Sequence, residues 1–435
     1  MKKALTSGIV LLLSIQVAAQ CDGQRFFQKV FPQEPIVTKD ITFGKNKDAS
    51  GKELSLTLDV YRPAGDTASL RPLVIIAHGG SFLFGNKNGP DAVPLAKDLA
   101  KMGYVSASIN YRLGMTNLPT GSHTLDSTDV MPAVIRGMHD GRAAVRFFRK
   151  DVAENGNTYG VDTSAIYFAG VSAGGFIALH LAYLDQPEEF PDYIDTSGVS
   201  NGHLTGQPGM RGGIEGNSGN PSYSSKVKAV INVSGALVDT SWMKIRDIPV
   251  LNFHGTNDQT VPYGTAMIDV LSLFPIFKVN GSASVARQAE KLEIKHCMVT
   301  WQGAGHVPEV GITPGALAYY DSMLQITRNF LYHFTCGAKL NCSYTGPADV
   351  KPIEGLTPFK LFPNPAGQSL FVEWKGKSEQ AIQLALINLM GQTLWQGSVC
   401  GQTKVEIIRT QFPCGLYILQ LKDKEHLYST KVIFQ

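Results

Sequence analysis

The stretch "YFAGVSAGGFIALH", residues 167–180, places Ser172 between Gly170 and Gly174, where a strand-like run gives way to a helix-like one. A serine at such a boundary sits on a sharp strand-to-helix turn, where only small flanking residues let the chain reverse without clashes. The same spacing also arises as an ordinary Gly-rich bend. With 44 glycines in 435 residues, the bare G-x-S-x-G pattern decides nothing by itself. The deciding information lies in the neighbouring elements, and in whether an acid and a histidine follow in suitable places.

Working outward, residues 36 to 335 alternate between strand and helix signals. "RPLVIIAHGG" (71–80) is a continuous apolar run closed by glycines, as a buried parallel strand requires. "DAVPLAKDLAKMG" (91–103) has helical spacing, "YVSASINYR" (104–112) is the next strand, and "DVMPAVIRGMHDGRAAVRFFRKD" (129–151) is a long helix despite Pro132. "SAIYFAG", "KVKAVINVSG", "IPVLNFHG" and "EIKHCMVTWQG" add strands, and "PGALAYYDSMLQITRNFLYHF" (314–334) a final helix. Regular alternation predicts an α/β fold: a mostly parallel sheet with helices on both faces. Right-handed crossovers then gather the loops after each strand along one edge, where sites form. One segment breaks the rhythm. Residues 187–225 are rich in Gly, Ser, Asn and Pro without periodicity, and are read either as a flap or wall beside the site or as a mobile surface insertion.

A serine hydroxyl is a weak nucleophile at neutral pH and needs an imidazole steadied by a carboxylate. "LNFHGTNDQTVPY" (251–263) ends a strand and offers Asp258, while "WQGAGHVPE" (301–309) ends the next and offers His306. Asp239, in "SGALVDTSW", is the reserve acid, and His254 reads as a residue that holds loops in place. "IIAHGGSFLFGN" (75–86) ends its strand in His78-Gly79-Gly80-Ser81, small enough for backbone N–H groups to approach a tetrahedral oxyanion. The amide of Ala173, after the serine, completes that set. These elements make Ser172 a candidate nucleophile, His306 the base, Asp258 the acid, and Gly80, Ser81 and Ala173 the oxyanion donors. No cofactor is needed, and no C-x-x-C or clustered Cys/His spacing supports a metal site.

On "AHGGSF", "ASINYRLG", "DGRAAVRFFRKD", "YGVDTSAIYFAGVSAGG", "HGTNDQTVPY" and "GAGH", residues 36–335 resemble the α/β-hydrolase superfamily, in its carboxylesterase-like branch with HGG-type oxyanion loops. The departure is Ser81, where many relatives have a third glycine; an amide donor survives that change. The resemblance implies a Ser172–His306–Asp258 triad and ester hydrolysis through an acyl-enzyme. Rival readings are a serine exopeptidase or a lipase or polyesterase on the same fold, and a non-catalytic surface protein.

After Cys342 the pattern changes. "SYTGPADVKPIEGLTP" reads as a linker, and short alternating strands follow: "SLFVEW", "AIQLALINLMGQTLWQG", "KVEIIR", "GLYILQLKD" and "LYSTKVIFQ". They predict a small antiparallel β-sandwich. "LFPNPAGQSLFVEW", "INLMGQTLWQG" and "GLYILQLKDKEHLYSTKVI" resemble the sorting domains of the type IX secretion system, which implies passage across an outer membrane; a carbohydrate-binding sandwich is the alternative. At the other end, "MKKALTSGIVLLLSIQVAAQ" pairs two lysines with an apolar run too short for a permanent anchor, the signature of a secretory signal peptide cut after Gln20. Cys21 would then head the chain as a lipid acceptor only if Gln20 were tolerated where a small residue is preferred. The expected division is signal peptide 1–20, hydrolase domain 21–342, linker 343–357 and sorting domain 358–435. The chain is expected to travel through the periplasm and finish secreted or at the cell surface, with no transmembrane anchor.

Export permits disulfides among the six cysteines. Cys336 and Cys342 are close enough for a local bridge, Cys21 competes for one of them, Cys400 faces Cys414 as a second pair, and Cys297 reads as a buried thiol. Hydrophobic residues at 43% and charged ones at 17% support a sizeable core, and a net charge of +3 without any Lys/Arg block argues against a nucleic-acid partner.

Overall fold

The computed structural model describes residues 20–115, 127–197, 207–270, 274–344, 357–375, 381–388, 393–409, 413–422 and 427–434. The expected signal peptide therefore lies outside the described residues except for Gln20, as do most of the expected linker and the stretch 198–206 of the insertion. The chain divides into two compact units, residues 1–344 and 345–435.

In the first unit the strands are β1 (Ile36–Lys47), β2 (Glu53–Arg62), β3 (Arg71–Ala77), β4 (Val105–Ile109), β5 (Val161–Val171), β6 (Ala229–Val233), β7 (Ala236–Leu237), β8 (Val250–Gly255), β9 (Thr265–Val270), β10 (Phe274–Gly281) and β11 (His296–Trp301). The helices are α1 (Val93–Lys101), α2 (Ser127–Glu154), α3 (Ala173–Tyr183), α4 (Ser282–Lys291) and α5 (Pro314–Cys336). Eight strands form one sheet in the order β1-β2-β4-β3-β5-β6-β8-β11. The β1–β2 and β2–β4 pairs are antiparallel and all others are parallel.

Every residue of β3, β4 and β6 is buried: β3 is apolar from Pro72 to Ala77, while Ser106 and Ser108 of β4 and Asn232 of β6 are buried with their side chains hydrogen-bonded. Along β3 the pleat sends Leu73, Ile75 and Ala77 to the face packed with Met131, Val134 and Ile177 of α2 and α3. Val74 and Ile76 meet Leu95, Leu99 and Phe330 of α1 and α5 on the other face. A separate small sheet, β7-β10-β9, which the strand–helix rhythm did not reveal, packs beside α4.

The described part of the insertion is gripped from α2 and from the end of β4. Buried Arg112 pairs with buried Asp140 and donates to the carbonyls of Lys47 (2.8 Å) and Gly209 (2.7 Å). Arg142 donates to the Ile214 carbonyl (3.0 Å), Arg146 to that of Gly219 (3.0 Å), and His139 to that of Gly213 (2.8 Å).

Two disulfides close the unit, Cys21–Cys336 and Cys297–Cys342. The second corrects the reading of Cys297 as a buried thiol. β11 is the edge strand, and the segment that leaves α5 comes alongside it, so that Cys342 reaches Cys297 with 5.4 Å between Cα atoms. Cys336 is thereby left for Cys21, and the local Cys336–Cys342 bridge does not form. Neither disulfide includes Cys400 or Cys414, which are both exposed, so that expected pair is not made.

The second unit has strands β12 (Thr357–Phe362), β13 (Ser369–Lys375), β14 (Ile382–Asn388), β15 (Thr393–Val399), β16 (Lys404–Ile408), β17 (Gly415–Lys422) and β18 (Leu427–Phe434). They form sheets β12-β13-β16 and β15-β14-β17-β18 with antiparallel pairing throughout. Leu370, Val372 and Ile407 from one sheet and Leu384, Leu386 and Leu419 from the other share one core.

Candidate active site

β5 carries the chain into the sheet edge and stops at Val171. Ser172 follows with φ 53° and ψ −115°, and α3 begins at Ala173. Such a backbone costs a non-glycine residue roughly 1–3 kcal/mol and persists only where the surroundings enforce it. Here Ser172 N–H donates to the Val233 carbonyl (2.8 Å), and its own carbonyl accepts from Phe176 (3.1 Å). The flanking glycines have a steric cause. A Cβ on Gly170 would run into the Gly174 carbonyl, and one on Gly174 into the Ala77 carbonyl.

The side chains predicted from the sequence converge. Ser172 Oγ lies 2.9 Å from His306 Nε2, and His306 Nδ1 lies 2.7 Å from Asp258 Oδ2. Asp258 Oδ1 accepts from the amides of Thr260 and Val261, both at 2.9 Å, so the turn after β8 fixes the carboxylate plane. Burial would raise the Asp258 pKa, but hydrogen bonds from His254 and His306 outweigh it and hold the carboxyl well below the usual range. Asp239, the reserve acid, is exposed and caps a short 3-10 turn by accepting from Ser241 N–H (2.8 Å).

The loop after β3 passes directly over Ser172: a Cβ on Gly79 would sit 3.2 Å from that of Ser172. Gly79 N–H donates to Asp91 Oδ2 (2.5 Å), and the His78 ring stacks on Tyr111, whose hydroxyl donates to the His78 carbonyl (2.9 Å). Gly80, Ser81 and Phe82 all have positive φ (113°, 54° and 58°), so the loop is held in a shape its sequence would not choose alone. Gly80 and Ser81 line a cavity of about 430 Å³ together with Ser172, His306, Phe84 and Val310. A second cavity, about 30 Å³, opens between Ser172 and Ala173 and is walled by Met115, Val134 and Phe176. As the first residue of α3, Ala173 has an N–H with no acceptor inside the helix. None of the described residues of the 187–225 insertion lines either cavity.

Three residues of this neighbourhood went unassigned or under-read in the sequence. His254, read as a loop holder, has Nε2 only 3.1 Å from Asp258 Oδ2. Its spacing of four from Asp258 was the available signal. Asp91 clamps the loop after β3 from the start of the α1 segment, and nothing in its local sequence marks it. Glu309, three residues after His306, is buried with neither carboxylate oxygen hydrogen-bonded. Burial, reinforced by the nearby charges of Asp91 and Asp258 and opposed by a backbone hydrogen bond, pushes its pKa up to about 7.

The strand order, the strained serine between β5 and α3, and the Ser–Asp–His order along the chain define an α/β-hydrolase. Known proteins agree: residues 58–244 match the BD-FAE family model, and residues 360–435 match the model described as secretion system C-terminal sorting domain. The first unit thus has the α/β-hydrolase fold, and residues 360–435 are similar to a sorting domain. Among curated proteins, "Carboxylesterase 3B" of Mus musculus is 34% identical over 128 residues, which are 29% of this chain and 20% of the relative. "Esterase-5A" of Drosophila persimilis is 31% identical over 171 residues, 39% of this chain and 28% of the relative. The chain thus spans less than a third of the length of these relatives. Among solved structures, the apo form of Thermogutta terrifontis esterase 2 is 21% identical with a TM-score of 0.48, covering 71% of this chain and 98% of that one. Among the described residues, no helix is long and apolar enough to cross a membrane.

Proposed function

We propose that the chain is an exported serine carboxylesterase that hydrolyses short-chain esters through an acyl-enzyme. The observation that carries this reading is the unbroken contact from Ser172 Oγ through His306 to Asp258 on a strained strand-to-helix turn. As Ser172 attacks the ester carbonyl, His306 Nε2 takes its proton while Asp258 steadies the imidazolium. The amides of Gly80, Ser81 and Ala173 receive the oxyanion, aided by the N-terminal end of α3. His306 returns the proton to the departing alcohol. Water, deprotonated by the same imidazole, then releases the acid.

The two cavities support a small acyl group. The pocket of about 30 Å³ beside Ala173 has room for an acetyl-sized group, whereas the 430 Å³ cleft suits the alcohol. Acetyl groups on plant polysaccharides are the favoured natural source, since a chain with an export tail meets polymers too large to enter the cell. Hydroxycinnamoyl esters are the second reading, favoured by the apolar side chains of Phe84, Val307 and Val310 in the larger cleft. The C-terminal unit would hand the enzyme to type IX secretion machinery after passage through the periplasm.

A panel of esters of graded acyl length, run beside amide substrates, tests the proposal. 4-Nitrophenyl acetate should be cleaved far faster than the palmitate ester, and methyl ferulate separates the two short-ester readings. Efficient palmitate turnover would favour a lipase, efficient peptide hydrolysis an exopeptidase. Failure of a fluorophosphonate probe to label Ser172 would leave a non-catalytic scaffold.

A further inference from the structure

Beneath Asp258 runs a chain of buried polar side chains whose hydrogen-bond polarity is fixed at both ends. Gly235 N–H donates to Asn232 Oδ1 (3.0 Å), which orients that amide. Asn232 Nδ2 therefore donates, to Asn252 Oδ1 (2.9 Å) and to Ser282 Oγ (3.0 Å). Ser282, at the start of α4, then turns its own hydrogen toward His254 Nδ1, 2.7 Å away. That leaves the His254 hydrogen on Nε2, where the Val261 carbonyl accepts at 3.0 Å and Asp258 Oδ2 lies at 3.1 Å. Both ends are backbone groups that can play only one role, so the tautomer of His254 follows without further assumption. His254, Asn232 and Ser282 are all fully buried.

Asp258 Oδ2 is thus faced by two imidazoles: His306 Nδ1 at 2.7 Å, and His254 Nε2 at 3.1 Å, whose single hydrogen lies between this oxygen and the Val261 carbonyl. We propose that His254 is a positioning residue for the reaction: its Nε2–H pins Asp258 Oδ2 so that the same oxygen meets His306 Nδ1 in line, with Ser282 and Asn232 fixing the tautomer that makes this possible. His254 touches neither Ser172 nor a bound ester and acts only through Asp258. This assignment rests on the Ser172–His306–Asp258 reading of the site. Without the His254 donor the carboxylate keeps its Oδ1 anchors but is free to tilt about them, and His306 loses its fixed aim. A misplacement of about 1 Å in such a group costs on the order of 100-fold in rate. The titratable groups facing Asp258 are His254, His306 and Glu309.

The test uses the full chain with His254→Leu, His254→Gln and Ser282→Ala. It measures kcat and KM on 4-nitrophenyl acetate, the rate of Ser172 labelling by a fluorophosphonate, and Tm. We expect His254→Leu to lower kcat and labelling by about 10- to 100-fold at nearly unchanged KM. His254→Gln, which can present an N–H near the same place, should recover most of the rate, and Ser282→Ala should fall between. A leucine variant within about twofold of the parent, or a glutamine variant as slow as leucine, overturns the proposal. Should the leucine variant fail to fold, Ser282→Ala decides, and a labelling rate equal to the parent's overturns it. A parent that labels but does not cleave esters sinks the esterase reading alone; one that does not label at Ser172 removes both.

Discussion

The strand-end site and the arginine-gripped insertion both depend on contacts far apart in sequence, yet they are built in opposite ways. At the site, each proposed catalytic side chain follows the end of a strand in one sheet, and the sheet register delivers Ser172, Asp258 and His306 to one edge. In the insertion, Arg112 from the end of β4 and Arg142 and Arg146 from α2 reach to carbonyls of Gly209, Ile214 and Gly219. The first arrangement specifies residue types at the contact; the second follows mainly a backbone path, with the side chains of Glu215 and Ser218 as added contacts. The lesson is that the site should fail chemically while the molecule stays folded, whereas the insertion should fail by loss of stability.

The sharpest break in that comparison comes at the site. Ser172→Ala and His306→Ala should each cost about 10⁵- to 10⁶-fold in kcat with Tm nearly unchanged, and the double variant should be little worse than either, since such residues act as a unit. Asp258→Asn should cost about 10³- to 10⁴-fold. Asp239→Asn, at a surface cap, should leave the rate near that of the parent; steady-state kinetics on 4-nitrophenyl acetate reads all of these, and a larger loss at Asp239 would refute the acid assignment.

On the other side of the comparison, Arg112→Met should destabilise the first unit by about 3–5 kcal/mol, because Asp140 is left as an uncompensated buried charge. Denaturant titration measures this. The rate per folded molecule should stay within a few-fold of the parent's, and a selective loss of kcat without loss of stability would show the insertion shaping the site.

Glu309 blurs the division, since it is a stability group placed beside the site. Its pKa is about 7 in the folded chain against an ordinary value of 4.5. The folded state thus keeps the proton that the unfolded chain releases, and stability falls as pH rises from about 4.5 to 7, then levels off. Glu309→Gln should therefore gain about 3 kcal/mol at pH 8 and little near pH 4.5, as urea midpoints at the two values will report. Equal gains at both would show that Glu309 is not buried as a neutral acid.

The smallest expected effect is on removing the second unit. All the functional side chains lie before residue 310, so a chain ending at Tyr344 should keep its turnover number. A loss of turnover in the purified truncation would show that the sandwich helps to form the site.

Much of this architecture was readable from the chain because burial imposes residue type. The unbroken apolar run Leu73–Ala77 of β3 marks a strand buried on both faces, and the glycines around Ser172 answer to carbonyls that no Cβ could face. Asp258 and His306 were legible as candidates because strand ends are marked by the turns that follow them. What escaped has an equally physical cause. Every residue owns a carbonyl, so nothing in the sequence flags Gly209 or Ile214 as the ones an arginine will hold. Cys297 looked like an interior thiol because its strand is apolar, and only the path of the chain after α5 brings Cys342 to it. His254 has the same apolar strand context, and its role depends on Ser282, which arrives from a different helix.

The Cys21–Cys336 bridge, joining residues 315 apart in sequence, makes the first unit a closed ring that contains every side chain proposed for catalysis. An exported chain, as proposed here, would share its surroundings with proteases, and the Gly-rich insertion is an inviting place for a cut. In a ring, one cut opens the loop but releases no fragment. Ser172, before the insertion, and the Asp258–His306 pair, after it, would remain covalently tied through residues 21 and 336 as well as by the shared sheet. A nicked enzyme should therefore migrate as one species on a non-reducing gel and as two pieces once reduced, and it should stay active until the thiols are freed.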